Sequence, residues 1–372
     1  MLKPIILIIT SIAILTAVVF TIVNIFQSYF SQQNRIIITS QTNNPTPTPT
    51  PVPKVKLVLP GTSYFLTDIP FIYQTFNNCG PASLSMILKF YNLNVSQEEL
   101  GNILRPYQHP LGYNDDKSVT FPEFIPIVEN YNLVSFHRPN GDIDKVKLLL
   151  TNDIPILTRT WVKEDYPVGH FRIITGYDDQ TGNFTQVDSI GGYQRIPYQR
   201  FLNLWQPFNY EYMTITSPEK EAVVKKIIGE EVDESVAWQN ALKKAQLEES
   251  LHPDSVFPLF NQSVAHYHLR QYTESVEVFE KVEKRLTSNT LWYQIEPILA
   301  YQQLKNHTRV LSLTDRVFQG GNIAFSELYI IRGEVYLDQG NREAAQREFE
   351  KAYQYNRNLP QAKEKLNSIR SI

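Results

Sequence analysis

Apolar residues run almost unbroken from Ile5 to Phe26, interrupted only by Thr, Ser and Asn24. About 20 such residues span a bilayer as one helix. The apolar region of a signal peptide typically covers only about 7–15 residues, and no Ala-x-Ala pattern follows here. The run therefore predicts an uncleaved membrane anchor within residues 1–30. From Asn44 to Pro53, proline alternates with threonine and valine. Such a segment favours extended polyproline II, at about 3.1 Å per residue. It predicts a semi-rigid stalk within residues 31–56. Lys3 and the terminal amine before the span, against Arg35, Lys54 and Lys56 after it, bias the N-terminus slightly inward. A stalk suits display outside the cell. The expectation is a single-pass membrane protein with its bulk on the extracytoplasmic side.

Residues 57–217 carry mixed periodicities. Leu84, Ile87, Leu88 and Tyr91 share one helical face. Ser96–Glu99 has a capping-box spacing that opens a second helix, and Thr120–Glu123 opens a third. Leu133–His137 reads as a strand, Asp142–Leu150 as a short helix and Ile154–Trp161 as a strand. His170–Tyr177 and Phe184–Ser189 form a hairpin around a turn of Asp, Gln, Thr, Gly and Asn. Tyr210–Thr216 reads as a last strand. Helices first and antiparallel strands later predict an α+β domain.

Residues 233–372 read as helical and repeat themselves. Tyr272, Ser275, Phe279 and Val282 recur 35 residues later as His307, Val310, Thr314 and Val317, and again as Arg342, Ala345, Phe349 and Ala352. The preceding helix position recurs as His266, Tyr301 and Tyr336, and a half-unit with Ala241, Ala245 and Pro253 comes first. A period of about 34–35 with two helices per unit marks tetratricopeptide-type repeats. The last unit, from Gly333 and Tyr336 to Ala345, Phe349 and Ala352, resembles that family closely, whereas Ile298 and Thr314 depart from it. Stacked helix pairs of this kind usually bind peptides or proteins.

Composition narrows the function. A chain of 372 residues exceeds one ordinary core, so two folded domains are expected. A formal charge of −3 shows no basic footprint for nucleic acid. No paired His or Cys spacing suggests a metal site, no phosphate loop is present, and no cofactor is expected. The single cysteine excludes an intrachain disulfide.

That cysteine, Cys79, lies just before a helix with Pro81 in its first turn, where proline is tolerated. The N-terminal end of a helix favours a thiolate, the nucleophilic form. Flanking Asn77, Asn78 and Gly80 argue against a buried core position. Gln74, five residues upstream, offers an amide donor for an oxyanion beside the Cys79 backbone N–H. Of seven histidines, His252, His266, His268 and His307 fall in the repeats, and His109 and His137 in polar surroundings. His170 begins a β-rich run, with Gly169 leaving room beside it. Asp188, on the returning strand, is placed to hold the imidazole tautomer, whereas Asp178 and Asp179 sit at the turn.

Gln-x4-Cys-Gly-Pro-Ala-Ser-Leu, followed by Gly-His-Phe-x-x-x-x-Gly-Tyr-Asp and Val-Asp-Ser, resembles the C39-like peptidase family over about residues 64–217. The resemblance implies a papain-like fold, with Cys79 as nucleophile, His170 as base, Asp188 as orienting acid and Gln74 in the oxyanion role. Where the family often has Asp-Pro, this chain has Asp188-Ser189. No transporter span or nucleotide-binding region follows, so the double-glycine leader specificity of the bacteriocin exporters need not transfer. The expectation is a membrane-anchored cysteine peptidase with a peptide or protein substrate and a protein partner on its repeats. The alternatives are an acyl transferase on the same scaffold and a non-catalytic adaptor.

Overall fold

A computed structural model describes residues 55–107 and 119–370. The predicted anchor, nearly all of the predicted stalk and His109 lie outside the described residues. Among the described residues, no helix is long and apolar enough to cross a membrane.

The α+β expectation holds. Helices α1 (Cys79–Phe90), α2 (Gln97–Leu104) and α3 (Phe121–Asn130) precede most of the sheet, and only the short β1 (Ser63–Phe65) comes before them. Then follow β2 (Val134–Arg138), α4 (Ile143–Thr151), β3 (Ile156–Lys163), β4 (Tyr166–Asp178), β5 (Asn183–Asp188), β6 (Gly192–Pro197), α5 (Tyr198–Trp205) and β7 (Tyr212–Thr216). The strands form one antiparallel sheet in the order β2-β7-β3-β4-β5-β6, with β1 on β4.

Local chemistry accounts for many of the boundaries. The Ser96 side chain accepts from the Glu99 N–H at the start of α2, and Thr120 and Glu123 form a reciprocal capping box on α3. Asp142 caps α4 through the Lys145 N–H at 2.7 Å. Asn92, Asn132 and Asp153, at positive φ, end α1, α3 and α4, where glycine is the commoner choice.

Helix α1 is the pivot of the domain. Every residue from Cys79 to Leu88 is buried, more than its single predicted apolar face. Leu84, Ile87 and Leu88 share a core with Phe171, Ile173 and Val187 of the sheet and with Leu100, Phe121 and Phe124 of α2 and α3. Gly80 permits this: a Cβ there would lie 2.2 Å from Val119 and 3.2 Å from Phe124.

One expectation changes. β4 starts at Tyr166, so His170 lies inside a strand rather than at its head. Pro167 and Gly169 disguise this, because neither favours a strand interior; pairing of Lys163 with Tyr166 extends the ladder regardless. His137 lies on β2, in keeping with the strand predicted over Leu133–His137, and its Nε2 is 3.1 Å from the Glu211 carboxylate.

Beyond α6 (Glu221–Ile228) the chain is helical: α7 (Glu234–Leu251), α8 (Phe257–His268), α9 (Tyr272–Val282), α10 (Glu296–Gln303), α11 (His307–Gln319), α12 (Ser326–Asp338), α13 (Arg342–Tyr355) and α14 (Pro360–Arg370). The 35-residue spacing is exact in the backbone. α9, α11 and α13 start at Tyr272, His307 and Arg342. Two residues earlier, Arg270, Lys305 and Gly340 adopt positive φ, and the next N–H in each unit donates to His266, Tyr301 or Tyr336. Only the third unit uses glycine at that turn.

The departures at Ile298 and Thr314 also resolve. They occupy the positions of Gly333 and Phe349, so the large and small residues are exchanged, and both are fully buried. A Cβ at Gly333 would lie 2.3 Å from the Phe349 ring. Gly333→Ala should therefore destabilise the protein by about 1–3 kcal/mol, although alanine is the better helix former. The denaturation midpoint measures this, and an unchanged or raised midpoint refutes the close packing.

Candidate active site

The loop entering α1 is bolted to α2. Asn77 takes a left-handed φ of 56°, which asparagine tolerates. The Asn78 N–H donates to the Thr75 carbonyl at 3.1 Å, and the Asn78 amide donates to Thr75 Oγ1 at 2.7 Å. Gln97 on α2 accepts from the Thr75 N–H at 2.9 Å and donates to the Tyr73 carbonyl at 2.8 Å. Arg105, just past α2, donates to the Asn77 carbonyl. These bonds set the first turn of α1, and no acidic residue lies in that turn to oppose a thiolate.

Cys79 is more buried than its polar neighbours suggested, at 9% exposure. The loop folds back onto α2, so Asn77 and Asn78 spend their polarity on neighbouring chain rather than on solvent. The thiol lies at the edge of the core, in contact with the imidazole of His170, itself 2% exposed.

His170 Nε2 lies 3.0 Å from Asp188 Oδ1. A carboxylate only accepts, so Nε2 carries the proton and donates, leaving Nδ1 for Cys79. Asp188 stands across the hairpin from Arg172, two residues beyond His170 and on the same strand face. Its Oδ1 also accepts from the Ile190 and Gly191 N–H groups at 2.8 and 3.1 Å, and Oδ2 accepts from Arg172 Nε at 3.1 Å. Asp178 and Asp179 remain at the turn, where Asp178 accepts from the Gln180 N–H and Asp179 pairs with Lys147 and Tyr198.

The electrostatics follow from this geometry. Burial pushes the Cys79 thiol up, but the bond and charge of His170, the Phe171 N–H and Arg105 outweigh it, and the thiol falls below its ordinary value. Burial pulls His170 down, yet the Asp188 and Cys79 bonds raise it from 6.5 to about 9. Burial raises the Asp188 carboxyl, while His170 and Arg172 hold it well below the usual range. The favoured state is thiolate, imidazolium and carboxylate together.

Gln74 lies where its N–H donates to the Ser189 carbonyl at 2.9 Å, and its side-chain Oε1 accepts from Ser189 Oγ at 2.7 Å. The tether leaves Nε2, the donor end of the amide, uncommitted by that bond. A cleft of about 290 Å³ touches His170, Asp188, Arg172 and Arg200 but neither Cys79 nor Gln74.

Three residues at the site were not singled out from sequence. Arg172 was legible in principle, because i and i+2 on a strand share a face. Ser189 stood out only as a departure from Asp-Pro, yet its hydroxyl is what holds Gln74. Arg105 reaches the loop only through the packing of α2, and no local pattern signals it.

The charged pair predicts a pH profile. Iodoacetamide should alkylate Cys79 well below the pH at which an ordinary thiol of pKa about 8.5 reacts. Asp188→Asn should move that profile up toward an ordinary thiol, because the imidazolium loses its partner. His170, raised in the fold, should contribute stability that is complete below pH 6.5 and lost as pH rises toward 9. The lowered Cys79 thiol contributes the opposite slope in the same window, so the His170 contribution is read in Cys79→Ala: a midpoint there that does not fall as pH rises above 6.5, or that falls equally when His170→Ala is added, refutes the assignment.

Residues 66–213 match the model of the Peptidase_C39 like family, and residues 326–359 match that of the tetratricopeptide repeat. No curated protein matches the chain. Among solved structures, a protein from Bacillus anthracis described as a C39-like peptidase is 16% identical, with a TM-score of 0.32, covering 42% of this chain and 98% of its own. A double glycine motif protease from an AMS/PCAT transporter, in complex with its leader peptide, is 17% identical with a TM-score of 0.31, covering 41% of this chain and 98% of its own. A MamA RS-1 double mutant is 17% identical with a TM-score of 0.33, covering 37% of this chain and 75% of its own. The chain thus carries a C39-like α+β domain followed by tetratricopeptide-type repeats.

Proposed function

We propose that the chain is a cysteine peptidase that cleaves a peptide or isopeptide bond through a thioester on Cys79. The contact of the Cys79 thiol with an imidazole that Asp188 holds at 3.0 Å carries this reading. The thiolate attacks the carbonyl carbon, and the charge collects on the carbonyl oxygen. The Cys79 backbone N–H and the Gln74 amide are the donors for that oxyanion. As the intermediate collapses, the C–N bond breaks and the His170 imidazolium gives its proton to the leaving amine. Water then attacks the thioester with His170 as base, releasing the carboxylic acid and restoring the thiolate. An amine in place of water would make the same thioester an acyl transfer, and product analysis with added amine distinguishes the two.

The repeats would bring the substrate or a partner protein to this site. The apolar run Ile5–Phe26 and the proline-rich segment after it support display at a membrane surface, on the extracytoplasmic side. The deep burial of Cys79 and His170 favours a second reading, a non-catalytic adaptor that binds proteins through both domains.

A peptide library incubated with the full chain separates these readings. Cys79→Ala should abolish hydrolysis while the fold survives; hydrolysis that persists in this variant excludes the thiol mechanism. Gln74→Ala should lower kcat by about 10²–10³-fold. Ser189→Ala, which removes the tether but keeps the amide, should cost less, roughly tenfold by the lost orientation. Equal losses in the two variants would show that Ser189 does more than hold Gln74.

A further inference from the structure

Gly169 precedes His170 on β4, and the space beside it is filled from the repeat region. A Cβ at Gly169 would lie 2.7 Å from both Cδ1 and Cε1 of Tyr293, and 3.1 Å from Cζ. Gly169 and Phe171 share a strand face, and Phe171 is also the residue that Gly80 of α1 approaches. Tyr293 therefore stands on the face of the sheet from which α1 starts.

The short segment Asn289–Tyr293, between α9 and α10, is stitched to both strands around His170. The Asn289 amide donates to the Pro167 carbonyl on β4. The Tyr293 carbonyl accepts from Arg159 Nη1 at 3.2 Å, and Nη2 of that guanidinium is paired with Glu211 at 3.2 Å. The Tyr293 ring meets Trp161 edge-on at 5.5 Å and Phe208 at 6.2 Å. Arg159 and Trp161 flank Thr160, the residue that faces His170 across the β3–β4 ladder.

This support falls where the sheet gives least. β5 pairs with β4 only from Arg172 onward. The stretch Tyr166–Phe171, which carries the imidazole, has a ladder partner on the β3 side alone. The His170 ring is held by Asp188, but its backbone is paired on one edge alone, and a displacement of about 1 Å can cost on the order of 10²-fold in rate.

We propose that Tyr293 is a positioning residue for His170, so that the repeat region completes the thiol–imidazole pair of the α+β domain. This rests on the reading of Cys79 and His170 as a catalytic pair. The far end of the repeats reaches the cysteine side as well. Asn358 donates to the Asn102 and Ile103 carbonyls at 2.9 Å each, at the end of the helix that leads to Arg105 and thence to Asn77. The two sides of the pair are thus braced by one body.

The test is the pH profile of iodoacetamide alkylation of Cys79 in the full chain, with thermal unfolding alongside. The groups that set the profile are Cys79, His170, Asp188 and Arg172, with Arg105 on the loop side. Tyr293→Ala and Gly169→Ala should each slow alkylation near pH 6 by about tenfold or more, and shift the profile toward an ordinary thiol. Tyr293→Phe, which keeps the ring, should stay within about threefold of the wild type. In the double variant the new Cβ enters the space the ring has left, so Gly169→Ala should add no further loss to Tyr293→Ala. Should Tyr293→Ala fail to fold, Tyr293→Leu and Gly169→Ala are read in its place. Folded variants with the wild-type profile overturn the proposal, as does a Gly169→Ala loss undiminished in the Tyr293→Ala background. A wild-type Cys79 that titrates as an ordinary thiol removes the catalytic reading itself, and this one with it.

Discussion

The buried carboxylate of Asp188 is the constraint on which the site depends. A carboxylate at 5% exposure is costly unless its lone pairs are met. Four donors meet them here: the imidazole, two backbone N–H groups and the Arg172 guanidinium. Each donor fixes something else. The two N–H groups set the turn after β5, and Arg172 fixes the β4–β5 register. The same guanidinium donates to Thr160, to the Trp161 carbonyl at 2.8 Å and to the Val162 carbonyl at 2.9 Å, which locks β3 as well. Three strands are thereby referenced to the group that orients His170.

Cys79 is placed by a separate system. The loop from Tyr73 to Asn78 takes its bonds from Gln97 and Arg105, and α1 is held by the core beneath it. The two systems meet at Ser189. Its backbone carbonyl and hydroxyl both bind Gln74, so the residue after Asp188 also positions the Gln74 amide. A proline in its place would have no hydroxyl for that tether. The departure from Asp-Pro therefore trades a stiff backbone for a side-chain bond.

The repeats are integrated into this arrangement rather than appended to it. Trp161, Phe208 and Tyr293 share one core with Phe136, Ile156 and Ile174 of the sheet. Asn209 and Asn261 also exchange bonds across the junction, through the Asn261 and Gln206 carbonyls. Such buried polar contacts demand defined geometry. They make the junction specific, in keeping with a repeat region that bears on the strands around His170.

Sequence by itself determined much of this protein, because several signals are local. The 35-residue period, the caps at Ser96, Thr120 and Asp142, and the α+β order were legible, since helix phase and capping depend on neighbours a few residues away. Cys79, His170 and Asp188 could be singled out because a helix start and a hairpin are short-range objects. Only tertiary structure decided the rest. The burial of Cys79, the roles of Arg105 and Arg172, the tether from Ser189 to Gln74 and the approach of Tyr293 to Gly169 join residues far apart in the chain. No periodicity encodes such pairs. The vacancy at Gly169 was visible in the sequence, but its occupant came from the next domain, because a missing Cβ records that something approaches and not what it is.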